Sequence, residues 1–411
     1  MRVAVVGGGL AGLTAALELV EARHAVELFE ARPTLGGAVQ TLPEREGDPP
    51  PPPDNGQHIA LGCFTEYLAF LDRIGEGASY RRQRLELPVI GEDGSTSSIR
   101  PSPAALLRYR HLPLRDRVRI PFVTARCRNA EPEPGETFGA LLRRLGTSDR
   151  AVDRFWDVFI RPALNLPADE ADAGAGLFTV RTALLGPRAA SDVILPARPL
   201  GDMHGGAAGR ALEARGGTIH LGRRVDSLDE LDADAIVAAL PAAESARLLG
   251  EAEPKLEPSP IVSVHLLFDR RLLPSPLASL LGSPAHWVFD RGELTGHRPP
   301  DWGQYLTVVS SGVPDLLEIR GKGLVDLMAD ELTSRLGEAE LLWSRVSREP
   351  HATIALRPGA ENERRGTATD RPNVVRAGAW TDTGWPATME GAVRSGLAAA
   401  RRLLAMGAVR A

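Results

Sequence analysis

The chain has 411 residues, 43% of them hydrophobic, which is enough to bury large cores in two or three structural units. A formal net charge of -5 excludes a general attraction for nucleic acid, although 48 residues are basic and only Lys255 and Lys322 among them are lysines. Cys63 and Cys127 are too few for a disulfide framework or a cysteine-based metal site, and they suit a reducing, cytoplasmic setting.

The opening "MRVAVVGGGLAGL" is broken by glycines too early for a signal peptide, and no stretch reaches about eighteen uninterrupted apolar residues, so no membrane span is expected. "RVAVVGGGLAGLTAALELVEARHAVELFEA" instead reads as strand, glycine turn, helix and second strand. Gly7, Gly9 and Gly12 fall on the G-x-G-x-x-G pattern of a dinucleotide site. The first permits the turn, the second lets backbone approach a pyrophosphate, and the third allows close helix–strand packing. The phosphates then meet the helix N-terminus at Leu10 and Ala11. Glu30, followed by Ala31, ends the second strand and can accept from ribose hydroxyls. An acid there, with no arginine placed for a 2′-phosphate, favours FAD or NAD over NADP. The second glycine pair in "RPTLGG", Gly36 and Gly37, brings another loop to the same pyrophosphate and makes FAD the expected cofactor.

Pro49 to Pro53 form the single low-complexity tract. Consecutive prolines donate no backbone hydrogen bonds and favour a stiff, solvated conformation, so the run is expected to be a dispensable surface loop. The cluster "DNGQHIALGC" behind it, Asp54 to Cys63, reads as a separate unit. Residues 64–195 are mostly helical in pattern. Within them, residues 104–128 carry seven arginines and one aspartate among Leu, Tyr, Ile, Phe and Val. That is the composition of an amphipathic segment lying on an anionic membrane, or of a solvated arginine face over a packed apolar one.

From Gly216 the sequence gives two short strands, with Val225 between them, and a closing Pro241. "IVSVHLLFD", "HWVFD" and "YLTVVSSG" suggest an antiparallel sheet over residues 260–313, followed by a helix at 322–336. A strand at Asn373 to Ala377, a turn containing Gly378 and a helix beginning near Ala387 close the pattern. Thr388, Met389 and Glu390 lie at that helix's N-terminus, whose dipole would favour negative charge on a flavin; plain C-terminal packing explains the helix equally well. No His, Asp and Glu spacing suggests a metal site, and the nucleophile elbow G-x-S-x-G is absent.

The two ends, "GGGLAGLTAALEL…FEARPTLGG" and "AGAWTDTGWPATMEGAVRSG", resemble the superfamily of FAD-dependent amine oxidases and phytoene desaturases. "DNGQHIALGCFTEYLAFLDRIG", "FWDVFIRPALNLPADEA" and "SDVILPARPL" narrow the resemblance to the squalene-associated desaturases understood as hydroxysqualene dehydroxylases. The resemblance covers nearly the whole chain. It implies an α/β protein in which a discontinuous Rossmann-like FAD-binding domain, 1–63, 196–258 and 366–411, carries an inserted α+β substrate domain, 64–195 and 259–365. It further implies a C30 polyene substrate in an apolar cavity between sheet and flavin, and adenine held by the backbone of Val225. Gly378, Asp382, Thr388 and Met389 would sit on the flavin side.

Two positions depart from the family pattern: Ala38 stands where members carry arginine after the second glycine pair, and Ala379 where they carry an acid. Arg32 or Asp382 is the candidate to compensate, and a cofactor-poor binding component of a terpenoid-synthesis complex is the rival that these losses suggest. Reductive dehydroxylation would take hydride from reduced flavin, while an acid protonates or hydrogen-bonds the leaving hydroxyl. Asp54 and His58 are the candidates for that acid, with Asn165 and Tyr67 behind them; structural roles in a turn and a backbone hydrogen bond are the plain alternatives. The nearest rival activity is oxidative desaturation of a polyene. The electron donor is not specified by the sequence, and a lipid substrate makes the membrane surface the expected location.

Overall fold

A computed structural model describes residues 1–299 and 303–408. Its first layer is a five-stranded parallel sheet in the order Val374–Ala377, Ala235–Ala239, Arg2–Val6, Ala25–Glu30, Thr218–Leu221. Central Arg2–Val6 is short, β-branched and buried on both faces, as parallel strands are. The helix Leu10–Glu21 buries nearly its whole circumference against this sheet and against the C-terminal helix Met389–Ala408. The two helices approach so closely that a Cβ at Gly396 would lie 2.3 Å from the Ala11 carbonyl oxygen.

The second layer is a mixed seven-stranded sheet in the order Leu341–Ile354, Pro258–Phe268, Gln304–Ser311, Trp287–Asp290, Leu277–Leu280, Leu87–Ile90, Thr96–Ile99. The three runs legible in the sequence form its middle. Its last two strands come from the 64–195 insertion, which is therefore not purely helical. One face, with Val262, Val264, Leu266, Phe268, Leu306 and Val308, packs on the helix Lys322–Leu336 through Leu324, Met328 and Leu332. The other face carries Ser263, His265, Tyr305, Thr307 and Arg345 and lies under the segment Asp48–Gly56. An apolar cavity wall was expected on this sheet; the face is polar at Ser263, His265, Tyr305, Thr307 and Arg345 and apolar at Ile261, Trp287, Phe289 and Val309.

Two further expectations change. The helix Thr65–Arg73, placed by sequence in the substrate domain, buries Tyr67, Phe70 and Leu71 in the core of the parallel sheet. The proline run is no solvated loop: Pro51 and Pro53 are buried, Asp48 pairs with Arg345, and the Pro52 carbonyl accepts from Arg291 Nη2 at 2.6 Å. Prolines lack a donor but keep a carbonyl acceptor and an apolar ring, so a run of them can be strapped down by arginines.

Candidate active site

The glycine turn, the loop at Gly36 and Gly37, and the segment Gly378–Thr388 meet at the carboxyl edge of the parallel sheet, where open α/β sheets hold ligands. Gly7 has φ +105 and a Cβ there would fall 2.2 Å from the Ala239 carbonyl oxygen; one at Gly12 would fall 1.9 Å from that of Gly7. Both are demanded by the chain itself. Gly9 differs, because its Cβ would meet only Gly37 Cα, at 3.6 Å, so the chain leaves a cradle between the two loops. Gly36 N donates to the Gly8 carbonyl at 2.8 Å and fixes the loops edge to edge. No side chain caps the helix that begins at Leu10, which leaves its first-turn amides, including that of Ala11, available to an anion.

Glu30 is buried, accepting from Gly8 N at 2.7 Å and from Arg32 N at 2.8 Å. Each oxygen keeps a lone pair for a ribose hydroxyl. Beside it Ala31 is exposed, and the chain Gly222–Val225 runs past with Arg223 N on the Glu30 carbonyl at 2.9 Å. Val225 is buried against Ala4, Val6 and Ile236. These residues fit FAD: an acid for the ribose, two glycine loops and a helix N-terminus for the pyrophosphate, and a buried valine backbone at the adenine end. Arg32 Nη1 reaches the Gly37 carbonyl at 3.4 Å and so brings a cation beside the cradle that Ala38 leaves uncharged. Asp382 is exposed and accepts from Gly384 N at 3.1 Å, holding its own turn.

On the flavin-side segment, Gly378 N donates to Ser395 Oγ at 2.9 Å, and Trp380 Nε1 to the Leu240 carbonyl at 2.8 Å. Buried Arg364 donates to the carbonyls of Trp380, Thr381 and Trp385 at 3.1, 2.7 and 2.7 Å and so shapes the loop. No motif announced this arginine; its only sequence trace is an Arg-Arg pair ahead of the last strand. Thr388 Oγ1 accepts from Gly391 N at 3.2 Å and caps the helix that starts at Met389. The Glu390 carboxylate turns away from that end and accepts from Glu66 N and Tyr67 N, at 3.2 and 2.7 Å, and from Arg394. It caps a helix 324 residues distant in sequence, and burial pushes it above the usual carboxylate range.

Asp54 is 2% exposed and has no free oxygen: Oδ1 accepts from Thr41 Oγ1 at 2.6 Å and Leu200 N at 2.9 Å, and Oδ2 pairs with Arg291 Nη1 at 2.5 Å. The expected acid is thus an anchor between the glycine-pair loop and the seven-stranded sheet. Asn55 completes it, donating to the Ala38 carbonyl at 2.9 Å. His58 is half-buried, with Nδ1 3.2 Å from the Gly56 carbonyl, so Nδ1 holds the proton and Nε2 the lone pair. Burial lowers its pKa against the opposing pull of Gly56 and Asp54. Asn165 is a left-handed helix end at φ 53, bound to Ser259 and Pro260, and serves packing. Tyr67 donates to His204 Nε2 at 2.7 Å in a fully buried pair, and burial pulls His204 down to about 4. Cys63 is pushed up to about 11 by burial and offers no reactive thiolate. Half-buried Phe64 and Phe178 meet Trp385 edge-on, at 5.9 and 5.1 Å between ring centres.

A nucleotide edge of this construction, carrying an inserted sheet and helices, defines an FAD-dependent oxidoreductase. The flavin containing amine oxidoreductase family model matches residues 10–404, and the chain belongs to that family. A hydroxysqualene dehydroxylase from Sinorhizobium fredii is 27% identical over 97% of each chain. A 15-cis-phytoene desaturase from Narcissus pseudonarcissus is 24% identical over 98% of this chain and 79% of its own. An oxidoreductase structure from Methanosarcina mazei superposes with TM-score 0.73 at 20% identity, over 97% of this chain and 99% of that one.

Proposed function

We propose that the protein reduces hydroxysqualene to squalene. The observation that carries this reading is the 27% identity to a hydroxysqualene dehydroxylase over 97% of both chains. In this reaction the allylic C–O bond breaks, hydride closes the carbon, and the departing hydroxyl takes a proton and leaves as water. When bound and reduced, FAD supplies the hydride. His58, taking a proton from solvent at its free Nε2, would donate it to the departing hydroxyl so that the oxygen leaves as water; Asp54 holds the segment that carries His58. Phe64, Phe178 and Trp385 offer aromatic surface to the hydrocarbon and to positive charge developing on the allyl group.

The test is anaerobic turnover: protein with photoreduced FAD is mixed with hydroxysqualene, and the products are resolved by gas chromatography. Squalene and reoxidised flavin are expected. Bound flavin without squalene overturns the reading, and in a parallel incubation with oxidised FAD and a quinone acceptor, absorbance from a lengthened conjugated system would identify an oxidative desaturase instead.

A further inference from the structure

The helices Pro103–Arg108 and Leu114–Cys127 carry four of the seven large hydrophobic side chains that stand exposed among the described residues. Leu107 is 48% exposed, Leu114 61%, Val118 46% and Phe122 66%. Leu114, Val118 and Phe122 follow at four-residue intervals, so they stack into one stripe about 12 Å long. The opposite side of the helix, with Ile120, Val123 and Cys127, is buried, so the stripe is not core turned outward by a slipped register.

Charge borders the stripe. At about 100° per residue, Arg115, Arg119 and Arg126 fall along one flank and Arg117 and Arg128 along the other. Arg117 donates to the carbonyls of Leu107 and Leu112, at 2.8 and 2.6 Å, and locks the two helices into one platform. The helix's single acid, Asp116, points inward with its side chain 1% exposed, and both its oxygens lack a hydrogen-bond partner among the described residues. Asp116 Oδ1 lies 3.9 Å from Arg115 Nε, and no carboxylate pairs with Arg117, Arg119, Arg126 or Arg128 among the described residues.

We infer that this face docks on an anionic lipid bilayer, with the four apolar side chains in the acyl boundary and the guanidinium groups on the phosphates. A second copy of the chain fits poorly, because a two-fold contact would set the same arginine flanks against each other. The inference stands on exposure and charge and not on the choice of substrate.

The experiment is co-sedimentation of the FAD-loaded full chain with vesicles of phosphatidylcholine alone or with about 30 mol% phosphatidylglycerol. Binding only to the anionic vesicles is expected, weakened about tenfold or more in an L114S/V118S/F122S variant that keeps its flavin spectrum. R115Q/R119Q and high salt should each weaken it severalfold. Wild-type protein that stays in the supernatant, equal binding to both vesicle types, or a triple variant that binds undiminished overturns the inference. So does a dimer that the triple variant abolishes without vesicle binding. Turnover of detergent-dispersed hydroxysqualene, followed in the same variants, reports separately on the proposed reaction.

Discussion

Asp54 and Arg291, each 2% exposed at the side chain, share one ion pair, and the guanidinium also holds the Pro52 carbonyl. Removing one partner of such a pair leaves a charge buried without compensation, at a cost of about 3–5 kcal/mol. Asp54→Asn is therefore expected to shift the urea midpoint by a corresponding amount and to speed FAD loss, because Thr41 and Asn55 hold the second glycine pair through the same segment. His58→Ala should behave oppositely, lowering kcat by about 10²-fold with the flavin spectrum unchanged; equal stability losses in the two variants would refute the division of roles. The identity of these residues was legible in the sequence, and their division of labour was not. Positions 54 and 291 lie 237 residues apart, and a carboxylate reads the same whether it faces a substrate or an arginine. Gly7, Gly9, Gly12 and Glu30 were legible because their chemistry is local, a turn and a strand end within one βαβ unit.

The proline run shows how an element's composition can mislead about its surroundings. Read alone, Pro49 to Pro53 is a solvated spacer; in place, it is a strap between Asp48–Arg345 and Asp54–Arg291 across the polar face of the seven-stranded sheet. A Gly/Ser replacement of equal length keeps the carbonyls but frees the unfolded chain, costing about 0.4–1 kcal/mol for each ordered proline replaced. A lowered thermal midpoint is the expected result, and an unchanged one would restore the surface-loop reading. Strand Pro258–Phe268 and helix Leu10–Glu21 were readable because alternation and helical period dominate their sequences. Strand Leu341–Ile354 escaped because arginines, a proline and a histidine interrupt its pattern, its support coming from pairing with Pro258–Phe268. The helix Thr65–Arg73 was seen but misplaced, since its partner Glu390 lies at the other end of the chain.

Across the whole molecule, buried histidines set the response to acid. His204 and His265 are fully buried, and desolvation pulls them from 6.5 to about 4 and about 3. Their pKa values are lower folded than unfolded, so the unfolded chain takes protons first as pH falls. Stability is full above 6.5 and is lost below it, down to about 4 for His204, on the order of 3 kcal/mol for that residue. Glu390, raised by burial, works in the other direction and offsets part of the loss. Urea unfolding at pH 7.5 and pH 5 should show the drop, and His204→Gln should reduce it while the share of His265 remains; a flat wild-type profile would contradict it. The closure of the parallel sheet has a consequence for synthesis. Leu10–Glu21 leaves the ribosome with almost every side chain destined for burial, yet its cover, Met389–Ala408, and the strand Val374–Ala377 follow more than 350 residues later. At about 5–20 residues per second the interval is roughly 20–70 s, during which the nascent chain owns a nucleotide fingerprint but no closed pocket, so stable capture of the flavin is expected to wait for that closing strand and helix.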